Sequence, residues 1–253
     1  PEVITNCEAP VMAVRKKKQS AIVDGMLKLR DGEVDAFVSA GSTGACLAAG
    51  TLVMGRIKGV ARPALATVIP SPVRPVVMCD VGANADCKPA YLVQFAQMAT
   101  VYAERIVGIE NPCAALLNIG EEEAKGSQFA QEAHALLKEQ LPNFAGNAEG
   151  GDILPAKFDV IVTDGFTGNV CLKTIEGTSK TLFKTLKSIM MSTPLTKLGA
   201  LAIKGGLKQL MAQVSPDTYG GAPLLGVKGA LLVGHGSSNA LAVKNGVLTT
   251  ARI

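Results

Sequence analysis

Four short segments of the chain combine glycine with small hydroxyl and amide side chains: Ser39-Ala40-Gly41-Ser42-Thr43-Gly44, Asp80-Val81-Gly82-Ala83-Asn84, Asp164-Gly165-Phe166-Thr167-Gly168-Asn169 and Gly234-His235-Gly236-Ser237-Ser238-Asn239. Glycine lets backbone N–H groups approach a ligand, and Ser, Thr and Asn add neutral hydrogen-bonding groups, so such turns suit an oxyanion of the phosphate type. For any one turn the plainer reading is that glycine makes a tight corner or packs helix against strand. Four together favour the ligand, with Gly41, Ser42, Thr43, Gly44, Asn84, Gly165, Thr167, Gly168, Ser237 and Asn239 as candidate contacts.

The charged candidates are few. Lys125 follows the acidic run Glu121-Glu122-Glu123 and lies just past an expected strand. There its ammonium either holds a phosphate and a developing oxyanion or pairs with its glutamate neighbours. Lys88 precedes Pro89 within reach of Asn84 and Asp86, with the same two alternatives. Asn169 and Thr167 either bind the ligand or cap a helix. His235 is a catalytic candidate or a hydrogen-bonded structural histidine, whereas His134 falls within a helical pattern as a surface or packing residue. Cys171 is expected to begin a helix, where a thiolate is favoured, but no histidine is near in sequence to activate it and no Ser-His-Asp or Cys-His set assembles. Direct transfer without a covalent enzyme intermediate is therefore expected.

These turns must be held by something regular. Strand-like runs at Val34–Ser39, Val76–Val81, Ala114–Ile119, Phe158–Thr163 and Ala230–Gly234 alternate with helical stretches at Ala45–Met54, Tyr91–Arg105, Gln128–Gln140, Val170 onward and Asn239–Val247. Such alternation predicts an α/β fold, a largely parallel sheet covered by helices on both faces, with ligands beyond the carboxyl ends of the strands. Neither G-x-x-x-x-G-K-[ST] nor a full G-x-G-x-x-G occurs, since Asn239 stands where the third glycine of the Gly234-His235-Gly236 fragment would be, so a nicotinamide-dependent dehydrogenase is disfavoured.

Composition narrows the class. The 253 residues are 48% hydrophobic and 18% charged, enough to bury a core and to exclude disorder. A formal charge of +4 with 4% aromatics gives no case for nucleic acid, though a mildly basic face can meet an acidic partner. No apolar run approaches the ~18–20 residues of a membrane span, and residues 1–10 do not resemble a secretion signal. Six scattered cysteines without a C-x-x-C pair read as reduced thiols in a cytoplasmic protein, not as a disulfide or zinc framework.

Residues 178–213 stand apart as an expected helical insertion. Lys180, Lys184, Lys187, Lys197, Lys204 and Lys208 are the only charges there, and no acid lies between Glu176 and Asp217. Helical spacing of Leu182, Leu186, Ile189, Leu198, Leu201 and Leu207, interrupted at Ser192-Thr193-Pro194, predicts two basic amphipathic helices. They either bury their apolar sides in the core or a dimer interface, or lie on anionic lipid with Leu198, Leu201, Ile203 and Leu207 facing it.

The Ser39–Gly44, Asp80–Asn84, Leu117-Asn118-Ile119-Gly120-Glu121-Glu122, Asp164–Val170, Tyr219–Gly226 and His235–Asn239 motifs, in this order, together resemble the bacterial PlsX family of acyl-ACP:phosphate acyltransferases. The resemblance covers nearly the whole chain. It implies a Rossmann-like fold related to isocitrate and isopropylmalate dehydrogenases, a homodimer, and reversible transfer of a fatty acyl group from acyl carrier protein to inorganic phosphate, with no cofactor. It further implies a cytoplasmic protein at the inner membrane surface that feeds a membrane glycerol-3-phosphate acyltransferase of the PlsY type. Lys125 and Asn169 match the family's lysine-glycine and Gly-Phe-Thr-Gly-Asn positions and are the expected catalytic pair. The family's N-terminal strand and Asp-Ala-Met-Gly-Gly-Asp turn have no counterpart here, so the expectation is one acyltransferase domain over residues 1–253 lacking that segment. An acyltransferase using coenzyme A thioesters and a non-catalytic lipid-surface module are the alternatives.

Overall fold

The computed structural model describes residues 2–213 and 215–253. Its strands are β1 (Ala36–Ser39), β2 (Ala64–Ile69), β3 (Val76–Cys79), β4 (Ala114–Leu117), β5 (Phe144–Ala148), β6 (Val160–Val162), β7 (Ala222–Leu225) and β8 (Ala230–Val233). They form one sheet in the order β1-β8-β7-β2-β3-β6-β4-β5. The α-helices are α1 (Pro10–Lys16), α2 (Ala21–Arg30), α3 (Thr43–Ala49), α4 (Pro89–Tyr102), α5 (Gln128–Gln140), α6 (Gly165–Met190), α7 (Pro194–Gln213) and α8 (Ala240–Thr250).

The sheet is mixed and mostly parallel, in line with the expected largely parallel one, with four parallel and three antiparallel strand pairs. β3, β6, β4 and β5 run parallel as one block, and β1 and β8 as another. Between them, β2 is antiparallel to both β3 and β7, and β7 is antiparallel to β8. The two blocks therefore run in opposite directions. β2, β5 and β7 escape the sequence reading because Ala64–Ile69 is an ambiguous apolar run, Phe144–Ala148 is polar and glycine-containing, and Ala222–Leu225 carries Pro223.

Strand residues alternate between two cores. Val76, Met78, Ile161, Leu231 and Val233 pack with residues of α1, α2 and α3 on one face, and Val77, Cys79, Val160, Val162 and Leu116 pack with α4 and α5 on the other. Apolar residues on both sides of β3 and β6 are what full burial of a strand requires.

The first helix of the expected insertion is longer than the sequence reading: α6 starts at Gly165, with Cys171, Leu172 and Ile175 against the core, and continues to Met190. Beyond that the pair is largely exposed, including Leu182, Ile189, Leu195, Leu198, Leu201 and Ile203, whereas Leu207 is half-buried. Thr193 and Thr196 exchange backbone-to-hydroxyl bonds of 3.0 and 3.1 Å where α7 begins. No helix among the described residues is long and apolar enough to cross a membrane.

Ile161, fully buried on the central strand β6, is a measure of this core. Ile161→Ala should lower unfolding free energy by about 2–5 kcal/mol in urea titration; a change below ~1 kcal/mol would show that β6 is not packed as described.

Candidate active site at the strand ends

The chain direction decides which turns meet. The turns after β3, β6 and β4 share one edge of the sheet, while those after β1 and β8 lie at the opposite edge because their strands run the other way. The four glycine-rich turns thus form two pairs, not one ring, and among the described residues no hydrogen bond links the pairs.

At the first edge, Asp80 is fully buried. Its Oδ1 accepts from the backbone N–H of Leu65 (3.0 Å), Gly82 (3.1 Å) and Ala83 (3.0 Å), and its Oδ2 accepts from the backbone N–H and the side-chain amide of Asn84, both at 2.8 Å. The expected anion-binding turn already holds an anion, the chain's own carboxylate. Asn84, a candidate phosphate contact, is turned inward, its amide also donating to the Pro63 carbonyl at 2.8 Å.

The turn after β6 closes onto this one. The Gly165 N–H donates to the Asn84 carbonyl at 2.7 Å, and Asp164 caps α6 by accepting from Phe166 and Thr167 at 3.0 and 2.9 Å. These N–H groups at the start of α6 are satisfied internally, so Gly165 and Gly168 serve packing here and do not present donors to a phosphate. A Cβ at Gly165 would stand 2.6 Å from the Asn84 carbonyl oxygen and one at Gly168 2.0 Å from that of Asp80. Asn169 donates from Nδ2 to the Val81 carbonyl at 3.0 Å, and both it and Thr167 are exposed.

Lys125 belongs to the same edge through β4, the neighbour of β6. Its loop is closed by Asn118, which accepts from the Ile119 N–H (2.8 Å) and donates to the Lys125 carbonyl (3.1 Å). Each residue of the acidic run pairs with a different lysine: Glu121 with Lys157, Glu122 with Lys125 and Glu123 with Lys138. At 3.9 Å between exposed side chains, the Lys125–Glu122 pair is worth at most ~1 kcal/mol and leaves the ammonium able to turn to another anion. His134 is a packing residue, its Nδ1 2.8 Å from the Asn147 Oδ1, while Asn147 donates to the Glu122 carbonyl at 2.8 Å and so steadies the loop from below. Lys88 is exposed at the start of α4 and forms no ion pair with Asp86 among the described residues.

The second edge is built from side-chain caps. Ser42 accepts from the Ala45 N–H at 3.4 Å to cap α3, and Asn239 accepts from Ala242 at 2.9 Å to cap α8 while donating to Asp217 at 2.7 Å. His235 Nδ1 lies 2.7 Å from the Ser237 hydroxyl and 3.2 Å from the Ser237 backbone nitrogen, a local turn with no third member among the described residues. A Cβ at Gly44 would meet Pro10 at 2.8 Å, so this glycine packs α1 against α3; Gly41 and Thr43 are exposed.

Cys171 lies in the second turn of α6, not at its start, and burial raises its pKa; the Cys87 thiol is pushed up to about 11 by burial. Shallow hollows of about 520 and 610 Å³ open against α5 and along α6, and neither contains Lys125 or Asn169.

A family model described as fatty acid synthesis protein matches residues 1–253. The chain belongs to that family. Among curated relatives of this family member, a phosphate acyltransferase from Clostridium novyi is 49% identical over 246 residues, 97% of this chain and 74% of that protein. A phosphate acyltransferase from Desulfitobacterium hafniense is 51% identical over 247 residues, with the same two shares of 97% and 74%. Two solved structures share the fold: a phosphotransacetylase from Streptococcus pyogenes (TM-score 0.61, 16% identity, 90% of this chain and 66% of that one) and a branched-chain phosphotransacylase from Enterococcus faecalis (TM-score 0.56, 12% identity, 99% and 96%). For the fatty acid synthesis protein family member described here they bear on the α/β architecture alone.

Two glycines of α6 separate packing from permissiveness. Gly168→Ala should cost about 1–3 kcal/mol or more, its Cβ driven into the Asp80 carbonyl, whereas Gly177→Ala, with nothing within 4 Å of the new Cβ, should be neutral or stabilising. Thermal unfolding of the two variants checks this; equal effects would undo the account of Gly168.

Proposed function

We infer that the chain is an enzyme that transfers an acyl group to phosphate, and we propose that the donor is a fatty acyl thioester on an acyl carrier protein. The first part rests on family membership and on identity near one half with proteins named phosphate acyltransferase, across 97% of the chain. The choice of carrier comes from the six-motif resemblance.

In the proposed step, inorganic phosphate lies at the edge formed by β3, β6 and β4, where Lys88, Lys125, Thr167 and Asn169 are exposed alongside the acidic Asp86, Glu121, Glu122 and Glu123. A phosphate oxygen attacks the thioester carbonyl carbon and forms the new C–O bond. Charge builds on the carbonyl oxygen, where the Lys125 ammonium and the Asn169 amide are the donors proposed to receive it. The C–S bond then breaks and its electron pair leaves on the pantetheine thiolate, giving acyl phosphate and free carrier. Neutral, part-buried thiols at Cys87 and Cys171 support direct attack over a covalent acyl-enzyme. The turns carrying Gly41, Ser42, Thr43, Gly44, His235, Ser237 and Asn239 are not drawn into this step.

The proposal extends to a homodimer at the inner face of the membrane, passing acyl phosphate to a membrane glycerol-3-phosphate acyltransferase. It is supported by the exposed Leu198, Leu201 and Ile203 and by the lysines of a segment without acids. Basic amphipathic helices gain from both apolar burial and anionic headgroups, and a basic face also complements an acidic carrier. The kinship with isocitrate and isopropylmalate dehydrogenases remains part of this reading.

The chain incubated with acylated carrier and phosphate should release free thiol and form acyl phosphate, and Lys125→Ala and Asn169→Ala should each lower kcat by about 10²–10³-fold. Unchanged turnover removes that residue from the step; activity only with coenzyme A thioesters shifts the donor, and vesicle binding with no acyl phosphate leaves a lipid-surface module. Replacing Leu198 and Leu201 by Glu should reduce cosedimentation with anionic vesicles without altering far-ultraviolet circular dichroism. Retained binding would mean that these helices face protein.

A further inference from the structure

We propose that Asp80 is a positioning residue of this site, a carboxylate that never touches substrate but sets the place of Asn169 and of the N-terminal turn of α6. The catalytic consequence rests on the acyl-transfer reading above; the structural linkage does not.

Asp80 is wholly removed from solvent, and no lysine, arginine or histidine forms an ion pair with it among the described residues. All five of its partners are N–H donors, three on one oxygen and two on the other. A proton on either oxygen would have to displace one of them, so the geometry is built for the ionised form. Burial pushes the carboxyl above the ordinary aspartate range while the amides of Ala83, Asn84 and Leu65 pull the other way.

From this anion the order spreads outward in two steps. Holding Gly82, Ala83 and Asn84 fixes the Val81 carbonyl, which receives the Asn169 amide at 3.0 Å. It also fixes the Asn84 carbonyl, which receives the Gly165 N–H at 2.7 Å. Gly82 adds a steric check: at φ +139° a Cβ there would stand 2.8 Å from the Asn169 Nδ2. Asn169 is thereby held from the β3 turn by one acceptor, the Val81 carbonyl, beside a glycine that leaves room for its amide. A substituted asparagine would retain one acceptor oxygen but set an NH2 group against the Asn84 donors, so the charge-neutral, equal-sized variant is a direct probe of this role.

The experiment is a double-mutant cycle on acyl-phosphate formation with wild type, Asp80→Asn, Asn169→Ala and the double variant, each with kcat and the KM for phosphate measured. Asp80→Asn should lower kcat by about 10–100-fold, with KM changing by less than about threefold. The double variant should be no slower than Asn169→Ala alone within about twofold, because the two act as one unit. Losses that multiply, or a wild-type kcat in Asp80→Asn, overturn the proposal. Hydrogen exchange is the second reading: the amides of Gly82, Ala83, Asn84 and Gly165 should lose protection in Asp80→Asn while those of α4 keep theirs, and unchanged protection overturns it. If the wild-type chain makes no acyl phosphate, the acyl-transfer reading falls and exchange alone decides the linkage. If Asp80→Asn does not fold, Gly82→Ala serves: a kcat matching that of Asn169→Ala supports the turn as the seat of Asn169, and a wild-type kcat overturns it.

Discussion

Burying a carboxylate without a cation costs several kcal/mol unless its lone pairs are met by well-placed donors. At Asp80 that requirement is satisfied by bending the chain after β3 so that successive amides point back at the side chain. The same bend supplies the carbonyls that receive α6 and Asn169. β2 is tied in through the Leu65 N–H and the Pro63 carbonyl. One buried anion thus joins three strands at the edge where the candidate donors stand. The glycines around it follow from the closeness of these chains, since Gly165 and Gly168 lie where any larger residue would strike backbone.

A second constraint is direction. Because β2 and β7 reverse the sheet between its two parallel blocks, strand ends that look equivalent in sequence come out on different edges. The Lys125, Thr167 and Asn169 turns share one edge by virtue of β4 and β6 being neighbours. The Ser42, Ser237 and Asn239 turns share the other by virtue of β1 and β8.

This also explains what was legible beforehand. The units at β3, β4, β6 and β8 were readable because burial on both faces leaves unbroken apolar runs, and the helices because helical periodicity is local; Gln128–Gln140 is a case where expectation and helix coincide. Strand direction leaves no mark on local pattern, so the reversal at β2 and β7 could not be read, nor could β5, whose Phe144–Ala148 is too polar for the rule. At the candidate site, residue types single out the turns but not which way their groups face. Asn84 and the first amides of α6 look available in sequence and are engaged in the fold. The one available clue was the Asp at the head of Asp80–Asn84, since aspartate followed by glycine and asparagine commonly bonds its own turn. Cys171 was misplaced because the start of α6 is set by the Asp164 cap, six residues before the apolar spacing becomes clear.

α6 begins among these bonds and runs unbroken for 26 residues, a rod of about 39 Å. Its first turn is fixed by the Asn84 and Asp164 contacts, and its far end carries the exposed Leu182, Leu186 and Ile189. A rigid element pinned at one end works as a gauge: anything that met the far end would be held at a set height from the candidate edge. The length of one helix, counted in residues, becomes a spacing between two environments.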